Sequence, residues 1–155
     1  MRVLVVGATG GTGRATVEAL LRRGHDVTAF ARRPDAVVPS SARLRIFRGD
    51  AMRLADVEEA VRGHDAVIVT LGIRENPLAV RLRGSVGTAM NVRSSGLTRL
   101  LVQPVGLTDG PEIGEPFAST AGEGRGMAIP RRSVATFLES VINPAWARQC
   151  VALSV

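Results

Sequence analysis

The sequence predicts an α/β fold with a parallel, doubly wound β-sheet, and three observations indicate it. Short apolar segments alternate with helical patterns from the amino terminus to Thr70. The segments Val3–Val6 and Ala66–Thr70 are apolar almost throughout, as is typical of strands that are buried on both faces of a parallel sheet. A glycine-rich turn, Gly7–Gly13, joins the first strand to the first helix.

The remaining elements of this half are predicted from the spacing of apolar residues and from the glycines that end the helices. Apolar residues recur at helical spacing in two segments, and each segment is followed by a glycine, the preferred residue for the left-handed turn that ends a helix. Right-handed crossovers between parallel strands then favour the strand order 3-2-1-4. The predicted elements are helices at Thr12–Arg23 and Leu54–Arg62 and strands at Val27–Phe30, Leu44–Phe47 and Ala66–Thr70.

The second half of the sequence is less regular. Residues 72–96 are predicted to be mostly loop, with some helix near Ala89–Arg93, and Leu107–Gly126 shows no period and predicts a long loop. The ordered elements predicted here are a strand at Arg99–Gln103 that is broken by Pro104, a helix at Ser133–Val141 and a closing strand at Cys150–Val155.

Length and composition favour one globular domain, residues 1–155. All 20 basic residues are arginine, and the chain has neither lysine nor tyrosine. A lysine Schiff base, a lysine-dependent phosphate loop and a tyrosine acid or base are therefore excluded. The net charge of +6 raises the possibility of nucleic-acid binding, but the arginines are scattered and only 3% of residues are aromatic, so nucleic acid is not expected as a partner.

The single cysteine, Cys150, excludes an internal disulfide and fits a reducing compartment. No apolar run reaches the roughly 18 residues that a membrane span needs. We therefore expect a cytoplasmic protein that does not enter the membrane. No metal site is predicted, because the histidines His25 and His64 stand in two copies of one helix-to-strand turn, at the amino edge of the sheet, where they are expected to be structural.

The glycine-rich turn carries the chemistry. It lies between an apolar strand and an amphipathic helix, which is the context of the dinucleotide-binding fingerprint. In that context the amino terminus of the helix binds a pyrophosphate. The alternative is a glycine-rich turn with no ligand. The predicted cofactor-binding residues of the turn are Gly7, Thr9, Gly10, Gly11, Thr12, Gly13 and Arg14.

The end of the second strand indicates which dinucleotide is bound. NAD-binding chains carry an acidic residue there for the ribose hydroxyl, whereas this chain has Arg32 and Arg33. Two guanidinium groups suit a phosphate, so NADP(H) is favoured over NAD, with a solvated arginine pair as the alternative. Other predicted cofactor contacts are Asp50 and Ala51 near the adenine and Leu71 and Gly72 near the nicotinamide ribose; Asp50 equally fits a turn or helix-start role.

These motifs together resemble the atypical short-chain dehydrogenases, in particular the NAD(P)H-binding, NmrA-like and biliverdin reductase B-like branch. The matching segments are Gly7–Gly13, Arg32–Pro34, Gly49–Asp50, Gly63–Val67, Leu71–Gly72, Gln103–Pro111 and Ile129–Ala135. The resemblance implies a Rossmann-type fold. It also implies that about one βαβ unit is missing between Asn91–Gly96 and Leu97–Val102, where the family has its fifth strand and often a catalytic serine.

The resemblance favours an NADP(H)-dependent oxidoreductase acting on a small carbonyl, quinone, flavin or enone without a Tyr/Lys pair. No catalytic residue is assigned; the polar candidates at the carboxyl edge are Thr70, Gln103, Thr108 and Asp109. The alternatives are a non-redox dinucleotide-binding sensor or regulator, and a reductase fold reused as a cyclase or isomerase.

The missing unit also predicts assembly. A gap beside the strand near residue 101 would expose the apolar residues Leu100, Leu101 and Val102, and native proteins cover such edges and patches. We expect a homodimer or larger homo-oligomer, with Ser85–Gln103 or the carboxyl-terminal helix in the contact. The competing prediction is a compact monomer.

Overall fold

The structure is a computed structural model that describes residues 1–33, 35, 40–71, 101–104, 106–121, 123, 125–142 and 150–154. The chain divides into two compact units, Met1–Leu97 and Thr98–Val155. The prediction of one domain spanning residues 1–155 stays a prediction. The expected βαβ deletion, the predicted helix at 89–93 and the candidate Gly72 fall within residues 72–100, outside the described residues.

The first unit contains a four-stranded parallel sheet. Its strands lie in the order β3-β2-β1-β4, and every pairing among them is parallel. The predicted order 3-2-1-4 is therefore confirmed. The elements are β1 Arg2–Val6, α1 Gly11–Arg22, β2 Asp26–Ala31, β3 Leu44–Arg48, α2 Leu54–Val61 and β4 Ala66–Val69.

Among the described residues of this unit, helices α1 and α2 cover opposite faces of the sheet. Leu4 and Val6 of β1 form a buried cluster with Val57 and Ala60 of α2. Helix α1 packs against β1 and β2, and right-handed crossovers place it on the other face. Since β1 is covered on both sides, its residues from Val3 to Val6 are at most 1% exposed, which is why this strand is apolar without alternation.

The repeated helix-to-strand turn has the same conformation twice. Gly24 and Gly63 both have a positive φ, of 79° and 74°. In the second turn, the ring Nε2 of His64 lies 2.7 Å from Thr28 Oγ1 on β2. Both turns precede strands at the amino edge of the sheet, so His64 has a structural contact there.

In the second unit, the described residues form two small sheets and one helix. In one sheet β9 lies between β5, to which it is parallel, and β7, to which it is antiparallel; in the other, β6 and β8 pair in parallel. Ile129, Val134 and Val151 are buried in its core. The elements are β5 Leu101–Pro104, β6 Gly106–Thr108, β7 Phe117–Ser119, β8 Ala128–Pro130, α3 Arg131–Ser140 and β9 Cys150–Ser154.

The predicted long loop at Leu107–Gly126 is wrong in part. Strand β6 begins before it and extends into it, and β7 lies wholly within it. Each has three residues, too few to show a period, and each is ordered by pairing with a strand distant in sequence. The helix α3 begins at Arg131, two residues before its predicted start, because Pro130 has the extended conformation that precedes a helix.

Candidate functional site

The carboxyl ends of the first unit's strands form one edge of its sheet. Because the strands are parallel, the segments that follow them emerge on the same side. Most of the predicted cofactor-binding residues of this unit lie in these segments. The segments begin at Gly7 after β1, Arg32 after β2, Gly49 after β3 and Thr70 after β4.

The turn between β1 and α1 leaves the start of the helix open. Gly7 has a φ of 89°, and its carbonyl accepts a hydrogen bond of 3.0 Å from Gly10 N. Gly10 occupies the N-cap position and makes no side-chain cap, and the first turn of α1 has no acidic residue. Among the described residues, no side chain accepts from the first amide groups of the helix, an arrangement that favours an anion at this point.

The helix lies very close to the turn at Gly13. A Cβ atom at Gly13 would stand 2.2 Å from Gly7 O and 2.8 Å from Thr70 Oγ1. Only glycine fits this packing without a shift. Thr70 in turn donates from its backbone N to Val6 O at 2.8 Å and from its hydroxyl to the same oxygen at 3.1 Å. The end of β4 is thus joined to the glycine turn.

Leu71 follows on the same edge. Its backbone N would lie 3.1 Å from a Cβ at Gly7, so it passes directly beside the turn. Its side chain packs against the cluster under α2. Leu71 as a cofactor contact stays a prediction; the structure places its backbone beside the turn and its side chain against the cluster.

Arg32 and Arg33 follow β2 and are both exposed. Their start is fixed by a hydrogen bond of 3.3 Å from Gly49 N to Ala31 O, which continues the pairing of β2 and β3 to the sheet edge. Among the described residues, neither arginine forms a salt bridge. Two guanidinium groups are thus available to bind an anion at the edge of the sheet where the glycine turn lies.

The turn after β3 is held by hydrogen bonds to the carboxylates of Asp50 and Asp56. Asp50 Oδ1 accepts from Met52 N at 3.0 Å, and Asp50 N donates to Asp56 Oδ2 at 2.8 Å. The side chain of Asp50 therefore acts in the turn, the second of the two roles considered from sequence. Ala51 is buried in the cluster under α2, which leaves chiefly backbone to face a ligand here.

Asp56 is a residue that sequence reasoning missed. It lies in the first turn of α2, where an acidic side chain is favourable. Its bond to Asp50 N shows that it also shapes the turn at the sheet edge. The available signal was an aspartate in the first helical turn, shortly after the Gly49–Asp50 motif.

Three polar candidates, Gln103, Thr108 and Asp109, lie in the second unit. Asp109 Oδ1 accepts from Arg131 Nη1 at 2.7 Å, an ion pair between the end of β6 and the start of α3. Thr108 is exposed at the end of β6. Gln103 lies in β5.

In the part of the chain that the structure describes, no helix has the length and apolar character to cross a membrane.

Comparison with known proteins gives matches to nicotinamide-binding chains. The model of the NAD(P)H-binding family matches residues 7–91. The chain is 33% identical over 131 residues to an isoflavone reductase homologue of Zea mays, covering 78% of this chain and 41% of that protein. It is 32% identical over 125 residues to a 3-diazoavenalumate denitrifying reductase of a Streptomyces species, covering 72% and 40%.

A solved structure shows the same fold. A Rossmann-fold NAD(P)-binding family protein from Shigella flexneri superposes with a TM-score of 0.78 at 21% identity, over 98% of this chain and 92% of that one. This chain spans about two fifths of the length of the two curated relatives. The predicted α/β Rossmann fold is confirmed, and the family match covers more than half of the sequence and contains the glycine turn, both arginines and the Gly49–Asp50 motif. The chain therefore belongs to the NAD(P)H-binding family, as its resemblance to the NmrA-like and biliverdin reductase B-like proteins implies.

Proposed function

We propose that the chain acts as an NADP(H)-dependent oxidoreductase that reduces a small organic substrate, namely a carbonyl, quinone, flavin or enone. One observation carries the proposal: the start of α1, which has no side-chain cap and packs through Gly13 against the Gly7 turn, shares a sheet edge with Arg32 and Arg33, which form no salt bridge among the described residues. Pyrophosphate and 2′-phosphate are the two anions of NADPH, and these two features suit them. The curated relatives are named as reductases, which supports the same reaction class.

Each part of the edge has a role in this proposal. The Gly7–Arg14 turn binds the pyrophosphate, and Arg32 and Arg33 bind the 2′-phosphate. The backbone of Asp50–Ala51 borders the adenine, and Leu71 and Gly72 border the nicotinamide ribose. Bound NADPH supplies the hydride, and the protein orients it and excludes water.

The proton for the reduced substrate comes from solvent or a hydroxyl group. Thr70 donates its own hydroxyl hydrogen to Val6 O, and Asp109 is ion-paired with Arg131. These contacts favour the second candidate, a dinucleotide-binding sensor without turnover, because neither side chain is positioned to donate a proton to a substrate. The two candidates share the cofactor site and differ in the reaction.

Binding and turnover test the proposal separately. Calorimetry of the wild-type protein with NADPH and NADH measures the preference. Replacing Arg32 and Arg33 together by alanine is expected to weaken NADPH by roughly 1.5–3 kcal/mol, about ten- to hundredfold, and to leave NADH nearly unchanged. The matched control replaces Arg22 and Arg23, two exposed arginines at the opposite end of α1. Equal losses for NADPH and NADH would show that the assignment is wrong.

Turnover is measured as loss of reduced-nicotinamide absorbance with a panel of quinones, flavins and enones. Substrate-dependent oxidation of NADPH supports the reductase. Tight NADPH binding without oxidation across the panel supports the sensor. Absence of binding to either dinucleotide overturns both.

We also propose that the protein works as a homodimer or larger oligomer in the cytoplasm. The single cysteine supports the cytoplasm. The apolar sequence of residues 100–102 supports the oligomer, but Val102 packs against the core of the second unit and β5 pairs with β9, which leaves less of this segment for a contact. Most of the expected contact, residues 85–103, falls outside the described residues.

A further inference from the structure

We propose that Arg48 is a third arginine of the 2′-phosphate site and a determinant of the preference for NADP(H) over NAD(H). The inference rests on the proposed function and extends it to a residue on a different strand. Three observations carry it: the register of β3, the direction in which Arg48 projects, and the charge at this end of the sheet.

The register of β3 places Arg48 beside Ala31, the residue that precedes the Arg32–Arg33 pair. Arg48 is the last residue of β3 and is paired with Ala31, the last residue of β2. Paired strands lie about 4.7–4.9 Å apart, so Arg48 begins one strand spacing from the point where Arg32 leaves the sheet. The hydrogen bond from Gly49 N to Ala31 O keeps the two strand ends together.

The direction of Arg48 is set by its neighbour Phe47. Phe47 stacks on Phe30, with ring centroids 5.5 Å apart and an interplanar angle of 13°, and packs against the cluster under α2. Successive strand residues point to opposite faces. Arg48 therefore projects to the face away from α2, where it is exposed.

The backbone that carries Arg48 is restrained on both sides. A Cβ at Gly49 would lie 2.8 Å from Phe30 Cζ, so the chain after Arg48 passes tightly over the phenyl pair. Beyond it, the bond from Asp50 N to Asp56 Oδ2 holds the following turn. A guanidinium group on such a backbone loses less freedom on binding than one on a mobile loop.

The positive charge of the arginines at this edge of the sheet favours the binding of an anion. Among the described residues, none of Arg32, Arg33 and Arg48 forms a salt bridge. Asp50 accepts from Met52 N, and Asp35, the nearest carboxylate after the pair, also forms no salt bridge there. A phosphate monoester carries a charge of about −1.5 to −2 at neutral pH and has three acceptor oxygens, which several guanidinium groups can share. The ribose hydroxyl of NADH has no charge to offer them.

The test compares two arginines of the same strand. Arg48→Gln removes one charge and keeps part of the aliphatic stem, and Arg45→Gln makes the same change at an exposed site nearer the amino edge, on the other face of β3. Calorimetry with NADPH, NADH, adenosine 2′,5′-bisphosphate and 5′-ADP measures each affinity. Circular dichroism verifies that both variants are folded.

We expect Arg48→Gln to weaken NADPH and the bisphosphate about fivefold, the upper range for one exposed charge contact, with NADH and 5′-ADP changed less than about twofold. Arg45→Gln is expected to change all four ligands alike and by less than about twofold. Equal effects of the two variants would overturn the inference in favour of the general positive field of the protein. Equal weakening of phosphorylated and unphosphorylated ligands by Arg48→Gln would overturn it in favour of a structural role.

The proposed function fails in a different way. A wild-type protein that binds NADPH and NADH equally contradicts the NADP(H) assignment before any variant is measured. A wild-type preference for NADPH that Arg48→Gln leaves intact contradicts only the role of Arg48. Should Arg48→Gln not fold, Arg48→Lys, which keeps the charge and loses the bidentate fork, is expected to weaken the bisphosphate more than 5′-ADP, and an equal effect would overturn the inference.

Discussion

Replacing Gly13 by alanine tests the packing on which the dinucleotide site depends. Gly13 lies within α1, where helix propensity alone predicts that alanine stabilises by roughly 0.5–1 kcal/mol. The structure predicts the opposite sign. The new Cβ would stand 2.2 Å from Gly7 O and 2.8 Å from Gly7 C, and both are backbone atoms that cannot rotate away.

Relief of that contact requires α1 to move away from the turn. Overpacking of this kind typically costs about 1–3 kcal/mol, which exceeds the gain in propensity. We therefore expect the Gly13→Ala variant to be less stable than wild type by about 1 kcal/mol, and by at most about 2.5 kcal/mol. For a chain of this length, each kcal/mol corresponds to roughly 2–4 °C in Tm.

The assay is equilibrium urea unfolding followed by far-ultraviolet circular dichroism, without ligand. Gly10→Ala is the matched control, because a Cβ there would lie 3.4 Å from Gly7 O, the limit of ordinary contact. We expect it to cost roughly 0.5–1 kcal/mol, because alanine is a poorer N-cap residue than glycine, and to lack the steric cost that Gly13→Ala adds. A Gly13→Ala variant as stable as wild type, or more stable, would refute the reasoning.

Three further predictions concern the acidic residues and assembly. Asp56→Ala removes the acceptor of Asp50 N and is expected to cost about 1–2 kcal/mol, seen as a lower urea midpoint, whereas Asp56→Asn keeps an oxygen and is expected to cost less; equal losses would contradict a hydrogen-bond role. Hydrogen bonds from Arg2, chiefly from its backbone N, lower the pKa of Asp65, so its contribution to stability is present above the ordinary value of 3.8 and is lost as the pH falls through the lowered pKa. Asp65→Asn is therefore expected to flatten the acid limb of a plot of unfolding midpoint against pH, and an unchanged limb would count against it. Light scattering at micromolar concentration is expected to give at least a dimeric mass, and a monomeric mass with an intact circular dichroism spectrum would exclude the dimer.

The sequence by itself determined the architecture of the first unit. Strands β1 and β4 are apolar runs, β2 and β3 are short and partly apolar, and the helices have apolar residues at helical spacing, so each element is specified by residues close in the chain. The predicted ends lie within two residues of those in the structure. The glycine turn was also predictable from sequence, because the positive φ of Gly7 and the close backbone packing at Gly13 require glycine.

The tertiary structure alone decided which side chains meet at the sheet edge. Asp56 holds Asp50 across a turn, and Arg48 stands beside Ala31 because of strand register. The sequence signals for these two relations, an aspartate in a first helical turn and an exposed arginine at a strand end, are too common to predict either contact. The strands β6, β7 and β8 were missed for the same reason, because three-residue strands are stabilised by partners far along the chain and not by a period of their own.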